Sequence, residues 1–382
     1  EEEDEEAVGV DCAQDVRWAA ESGAAPLEAC LERCVVRPLL AQARIVDASI
    51  VRHFLEELQL PRRLRLLKRY VLLNESRLVE PFVIEALDRF AASDRDAVVL
   101  GGLEGALNVL FQATVPRPPD PEDDAFLSSM HFAVQPPLSS SSSSSAAAAA
   151  PRRGAWPLLE SLRLGLALAP PLSHAFPEHV LSRYSAWFRL LALVHYALHS
   201  AKRAWLLLSR SAAATARRDP REEPPVPAST AALRHQMHHF VATLQRYLLV
   251  DVMAAEFAKL EARLAAARSL DGLLAAHARF AEVCARKAFL DPGDKGLLGT
   301  IVSMLGQVLR LGRALEAALE ASEEPAPLST RAAKALETVE ITFCDLRWQL
   351  KLSLPDQSAV RFAGETDFLE PWLETWLRRC EE

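Results

Sequence analysis

The stretch from Leu233 to Asp291 constrains this chain more than any other part of its sequence. Apolar residues fall at Leu233, Met237, Phe240, Leu244 and Leu248, and again at Met253, Phe257, Leu260 and Leu264. Steps of three and four place them on one face of a long amphipathic helix. Ser269-Leu270-Asp271 offers an N-terminal cap for a second helix, which runs through His277, Phe280 and Cys284 to Leu290. Asp291-Pro292-Gly293 ends that helix, because proline lacks the amide donor and glycine takes the turn. The result is a helical hairpin without a glycine-rich phosphate loop or a nucleophile motif, built to pack and to present a face.

The remaining sequence points the same way. The 382 residues are 50% hydrophobic and only 7% aromatic, with Leu, Ala and Arg prominent, which favours helix over sheet. A formal charge of −8 and the lack of a lysine-rich block argue against nucleic acid as a partner. The longest apolar run, Phe188 to Leu208, is broken by Arg189, His195, Lys202 and Arg203, so it is not a membrane span. Six scattered cysteines read as reduced thiols; Cys30 and Cys34 lie one helical turn apart, but no second pair completes a metal site. Residues 1–25, opening on Glu1 to Glu6, read as an acidic, self-repelling, disordered leader. A first residue other than methionine suggests an excised fragment or a processed chain.

Taken in order, the chain predicts helices from Pro26 to Phe111, with Pro38 near a boundary, Pro61 at a start, and Leu64, Leu67, Val71 and Leu78 in the core. Arg62, Arg63, Arg65, Lys68 and Arg69 read as a solvated face. Residues 116–155, proline-rich and acidic and then low in complexity from Ser139 to Ala150, read as a disordered loop insertion. The alternation of Leu162, Leu164, Leu166 and Leu168 suggests one short extended piece, ended by Pro170-Pro171. A long helix follows through Tyr184, Phe188, Leu191, His195, Leu198 and Trp205, and residues 216–230 form a linker before the organising helix. Beyond Asp291 a further helix is expected with Leu298, Val302, Leu305, Leu309 and Leu315 buried, then a last one capped by Ser329 or Thr330. The fold class is therefore mainly α: elongated helical bundles with at most one short strand and disordered loop insertions.

No catalytic, cofactor or metal residues are assigned. Asp120, Asp123 and Asp124 would suit magnesium-diphosphate chemistry only if held on one helical turn, and the neighbouring prolines argue against a helix there. His235, His238 and His239 share a helix face but lack a third type of ligand nearby. No serine sits in a strand-turn-helix elbow, and no cysteine has a nucleophile context.

A family resemblance rests on an ordered, discontinuous series: Arg234-His235-Gln236-Met237, His239-Phe240, Leu244-Gln245 with Tyr247, Val250-Asp251-Val252, Ser269-Leu270-Asp271 and Ala276-His277. Upstream, Phe54 to Leu58 and Leu64 to Leu73 extend it. Together these resemble the C-terminal half of gamma-tubulin complex proteins, with a divergent insertion closer to the fourth to sixth types than to the two core ones. The family's usual Arg-Asp-Phe-Asn-Tyr type of ending has only a loose counterpart in the terminal DFLEPWLETWLRRCEE. The resemblance implies that residues 26–382 form a gamma-tubulin-binding helical domain. It implies a non-enzymatic scaffold that joins gamma-tubulin and sister subunits to template microtubule nucleation at cytoplasmic organising centres. Arg234, His235, His238, Gln245 and Arg246 are the expected partner-binding residues. The alternative is a helical tethering or adaptor subunit with no tubulin role.

Overall fold

The computed structural model describes residues 27–90, 97–135, 155–215, 227–319 and 330–361. The fold is mainly α, with one two-stranded antiparallel sheet among the described residues. α1 (residues 27–57) is one helical run in which Leu27–Leu31 and Arg37–Arg52 alternate with π-helical turns at Glu32–Val36 and His53–Glu57. α2 (Leu60–Tyr70), α3 (Ser76–Phe90), α4 (Ala97–Thr114) and α5 (Pro121–Ser128) lead to β1 (Met130–Val134). α6 (Ala155–Ser161), β2 (Leu162–Leu166), α7 (Glu178–Thr215), α8 (residues 228–265), α9 (Leu270–Lys287), α10 (Lys295–Leu319) and α11 (Thr330–Arg361) follow. None of the described helices is long and apolar enough to cross a membrane. The chain divides into two compact units, one drawn from Glu1–Arg63 and Ala258–Arg279, the other from Leu64–Phe257 and Phe280–Glu382. The expected hairpin is thus shared between them.

In the larger unit α7 is the hub, packing on α3, α6, β2, α8 and α10. Residues 190–198 are all buried, so this segment is enclosed on every side, as a helix apolar all round must be. Beside it Phe82 of α3, Phe111 of α4, Phe132 of β1 and Phe188 of α7 form one aromatic cluster, with ring centroids 5.0–5.4 Å apart. The sheet pairs Met130 with Leu166 through Val134 with Leu162. A two-stranded ladder leaves an unpaired edge on each side, and here side chains close both. Asn108 of α4 donates to the Phe132 carbonyl at 2.9 Å and accepts from its amide at 2.7 Å, and Glu104 accepts from the Val134 amide at 3.1 Å. On the other edge the Leu164 amide donates to Ser185 Oγ of α7 at 2.9 Å.

Every apolar position expected on the organising helix, from Leu233 to Leu264, is buried. One step in that series is five residues, from Leu248 to Met253, and an α-helix would carry Met253 off the buried face. A π-helical segment, Tyr247–Ala254, takes up the extra residue and keeps both halves in phase. Ser269 caps α9 as expected, accepting from the Gly272 amide at 3.2 Å. α9 stops at Lys287, three residues before the expected Leu290. Phe289 adopts a left-handed conformation (φ 62°), and the Leu290 amide folds back to the Ala285 carbonyl at 2.9 Å.

Several expectations are corrected. Residues 116–135 are ordered, with Asp120 (φ −83°, ψ 127°) accepting from the Glu122 amide at 2.9 Å and capping α5. Pro121 fits because the first helical position needs no donor. Phe126, Leu127, Met130 and Phe132 are buried, so β1 supplies the strand partner the sequence did not reveal. Residues 136–154, with the serine and alanine tract, lie outside the described residues, as do 1–26, 216–226 and 362–382. Pro38 lies near a boundary as expected, in the first turn of Arg37–Arg52 directly after the π-helical turn Glu32–Val36, and the helical run continues through it. Leu78, Leu298 and Val302 are only half-buried; Val79, Leu297 and Ile301 take the inner positions. Lys68 is not simply solvated: its Nζ lies 4.4 Å from the Phe257 ring centroid.

Two variants test these points. Inserting one alanine after Val250, an exposed residue of the π-helical segment, adds a residue beyond the one that segment takes up and turns Met253, Phe257, Leu260 and Leu264 by about 100°. The loss should exceed roughly 5 kcal/mol, read as a collapse in thermal stability or solubility. Asn108→Leu leaves both polar groups of Phe132 without their partner and should cost roughly 2–3 kcal/mol in denaturant unfolding, with helix content unchanged.

Candidate partner-binding face

α8 is two-sided. Leu233, Met237, Phe240, Val241 and Leu244 face the core, and the opposite side carries His235, His238, Ala242 and Arg246 at helical spacing. Of the five expected contact residues, His235 and Arg246 are exposed, and Arg234 and His238 are half-buried beside them. Burial lowers the pKa of the Arg234 guanidinium, and its enclosed Nε has no hydrogen-bond partner among the described residues. Burial also lowers the pKa of His238, reinforced by the charges of Arg234 and Lys202 and by His235 and His239. Arg234 and Arg246 give the strip positive charge in a chain of net charge −8.

Gln245 is the exception. It is half-buried and turns inward, its amide nitrogen 3.2 Å from Nδ1 of His195 on α7. His195 is 3% exposed, and burial followed by the charge of Lys202 brings its pKa down to about 4. The ring is neutral at pH 7, so a ring nitrogen can accept from the Gln245 amide. Gln245 therefore joins α8 to α7.

Trp205, on the long helix the sequence predicts, is 50% exposed, and neighbouring Leu206 is 46% exposed. The only signal was their place near the end of α7, after the enclosed 190–198 segment. Val250 is also exposed, on the π-helical segment of α8. Farther along, Tyr247 stacks on Phe289 at 6.2 Å and donates to the Lys287 carbonyl at 2.9 Å; Lys287 in turn pairs with buried Glu256 at 2.9 Å. These contacts fix the C-terminal end of α9 against α8.

A second polar region lies among α3, α7 and α10, a cavity of about 350 Å³ lined by Asp88, Tyr196, Ser200, Arg203, Arg313 and Glu316 among others. Its groups answer one another: Tyr196 donates to Asp88 at 2.6 Å, and Arg203 pairs with Glu316 at 3.0 Å. Burial, then the bond to Asp88, raises the Tyr196 pKa, so the phenol stays a donor. A Cβ added at Gly312 of α10 would displace Ser200 Oγ of α7, while the rest of Ser200 lies at ordinary contact distance. As for the aspartates of residues 120–124, Asp120 is a cap and Asp124 pairs with Arg117 at 2.8 Å. Among the described residues no group of three His, Cys, Asp or Glu side chains is placed to hold a metal ion.

Because the folded pKa of His195 lies below the unfolded value near 6.5, its contribution is present above that value and is lost as the pH falls toward 4. Between pH 7 and pH 4.5 that loss is roughly 2–3 kcal/mol. Denaturant unfolding of His195→Gln at both pH values should show a smaller drop than the parent chain by about that amount.

No curated protein matches the chain. Residues 60–361, well over half of it, match the family model described as gamma tubulin complex component C-terminal. That range runs from α2 through α11 and includes the hub helix α7 and the two-sided α8. The chain therefore belongs to the gamma tubulin complex component C-terminal family, a family of gamma-tubulin complex subunits.

Proposed function

We propose that this chain is a non-enzymatic scaffold subunit that binds gamma-tubulin and, with sister subunits, helps template microtubule nucleation at organising centres in the cytoplasm. The observation that carries the reading is the family match over 60–361, which spans the helices that build the larger unit. The outer strip of α8 is the binding surface in this reading. Arg234, His235, His238 and Arg246 meet an acidic patch of the partner, and Gln245 holds α8 on α7. Exposed Trp205 and Leu206 on α7 add apolar area of the type that anchors interfaces.

Size-exclusion chromatography with light scattering, run on the chain mixed with GTP-loaded gamma-tubulin, tests this directly. A one-to-one complex is expected, weakened roughly tenfold or more by the His235→Glu/Arg246→Glu pair. Gln245→Ala should leave affinity unchanged while lowering stability. A folded chain that leaves gamma-tubulin free would overturn the reading in favour of a tethering subunit, and unchanged affinity in the folded double variant would move the surface off α8.

A further inference from the structure

α7 and the first half of α8 pack side by side and hold almost no acid. α7 has no Asp or Glu after Glu178, and α8 has none before Asp251, in a chain of net charge −8. The two helices run antiparallel: His195 of α7 meets Gln245 of α8, and seven residues on, Lys202 acts on His238, seven residues back. His238 therefore sits in a cluster of bases. The groups that act on its ring are Arg234, one turn before it, then Lys202 from α7, then His235 and His239. None of them is a carboxylate, and none comes from α10, the other helix packed on α8, whose Glu316 is engaged by Arg203. Lys202, Arg234, His235 and His238 are exposed or half-buried and form no ion pair among the described residues. Basic groups one turn apart on a helix repel each other. The cluster has no counter-charge of its own.

We propose that an acidic partner docks on this cluster with uptake of a proton by His238, so that docking tightens as the pH falls. The inference rests on α8 being the gamma-tubulin-binding face. In the free chain burial, and then the charges of Arg234 and Lys202, hold the proton off this ring. A carboxylate docked beside His238 supplies the missing opposite charge and also offsets Arg234 and Lys202, so the same ring takes the proton. By linkage, a ring that gains proton affinity on docking returns it as tighter docking at lower pH. An apolar partner would only deepen the desolvation and drive the proton off. The direction of the exchange therefore reports the chemistry of the surface that docks.

Titration calorimetry of the full chain with GTP-loaded gamma-tubulin near pH 7, in buffers of different ionisation enthalpy, counts the protons exchanged. Net uptake is expected, and affinity should rise about fivefold between pH 7.5 and pH 6 at constant ionic strength. Histidines of the partner titrate in this range too, so the reading is the difference between the parent chain and two variants. His238→Gln keeps a polar side chain that binds no proton, and should lose most of the uptake and of the pH dependence. Lys202→Glu, at an exposed position, sets a carboxylate beside His238 before docking. It should also remove most of the uptake, with the ring still present. Uptake undiminished in either folded variant, or proton release by the parent chain, would overturn the inference while leaving gamma-tubulin binding intact. A chain that binds no gamma-tubulin would overturn both readings.

Discussion

The fold depends on the enclosure of α7. A helical segment buried over 190–198 can remain so only if its polar groups are satisfied from within the protein. Within it His195 is neutral and meets Gln245, and Tyr196 meets Asp88; one turn earlier on α7, Ser185 closes the β2 edge. These three contacts reach in turn to α8, to α3 and to the sheet. The same groups that would penalise burial are what orient the neighbouring elements around the hub.

The two-stranded sheet shows the same economy. A hairpin of this size is marginal alone, and its edges invite pairing with other chains. Asn108 imitates a neighbouring strand by engaging both the amide and the carbonyl of Phe132. Ser185 does the equivalent for Leu164. With the phenylalanine cluster beneath it, the sheet becomes a rigid corner tying α4 and α7 together.

α8 divides its labour by face. Its inner side carries the apolar series from Leu233 to Leu264, with buried Glu256 paired to Lys287, and this needs the π-helical segment at Tyr247–Ala254 to stay in register. Its outer side collects Arg234, His235, His238 and Arg246, polar residues that no core packing demands. A family motif mixing both faces therefore contains residues of two kinds. Gln245 belongs to the first kind by contact, although its place in the motif sets it beside Arg246.

Periodicity alone determined the helical class, the buried series from Leu233 to Leu264, the Ser269 cap and the extended piece at Leu162–Leu166, because burial on a regular element leaves a repeat. The family, too, was legible, since its motif follows the order of the chain. Tertiary structure decided the rest. Residues 116–135 look like linker by composition, yet a few apolar side chains and one aspartate cap suffice when α4 and α7 are there to receive them. α9 ends at a left-handed Phe289, where no glycine marks the stop, because stacking on Tyr247 holds it there. The inward turn of Gln245 and the exposure of Trp205 follow from which helix lies opposite, and a one-dimensional pattern does not carry that information.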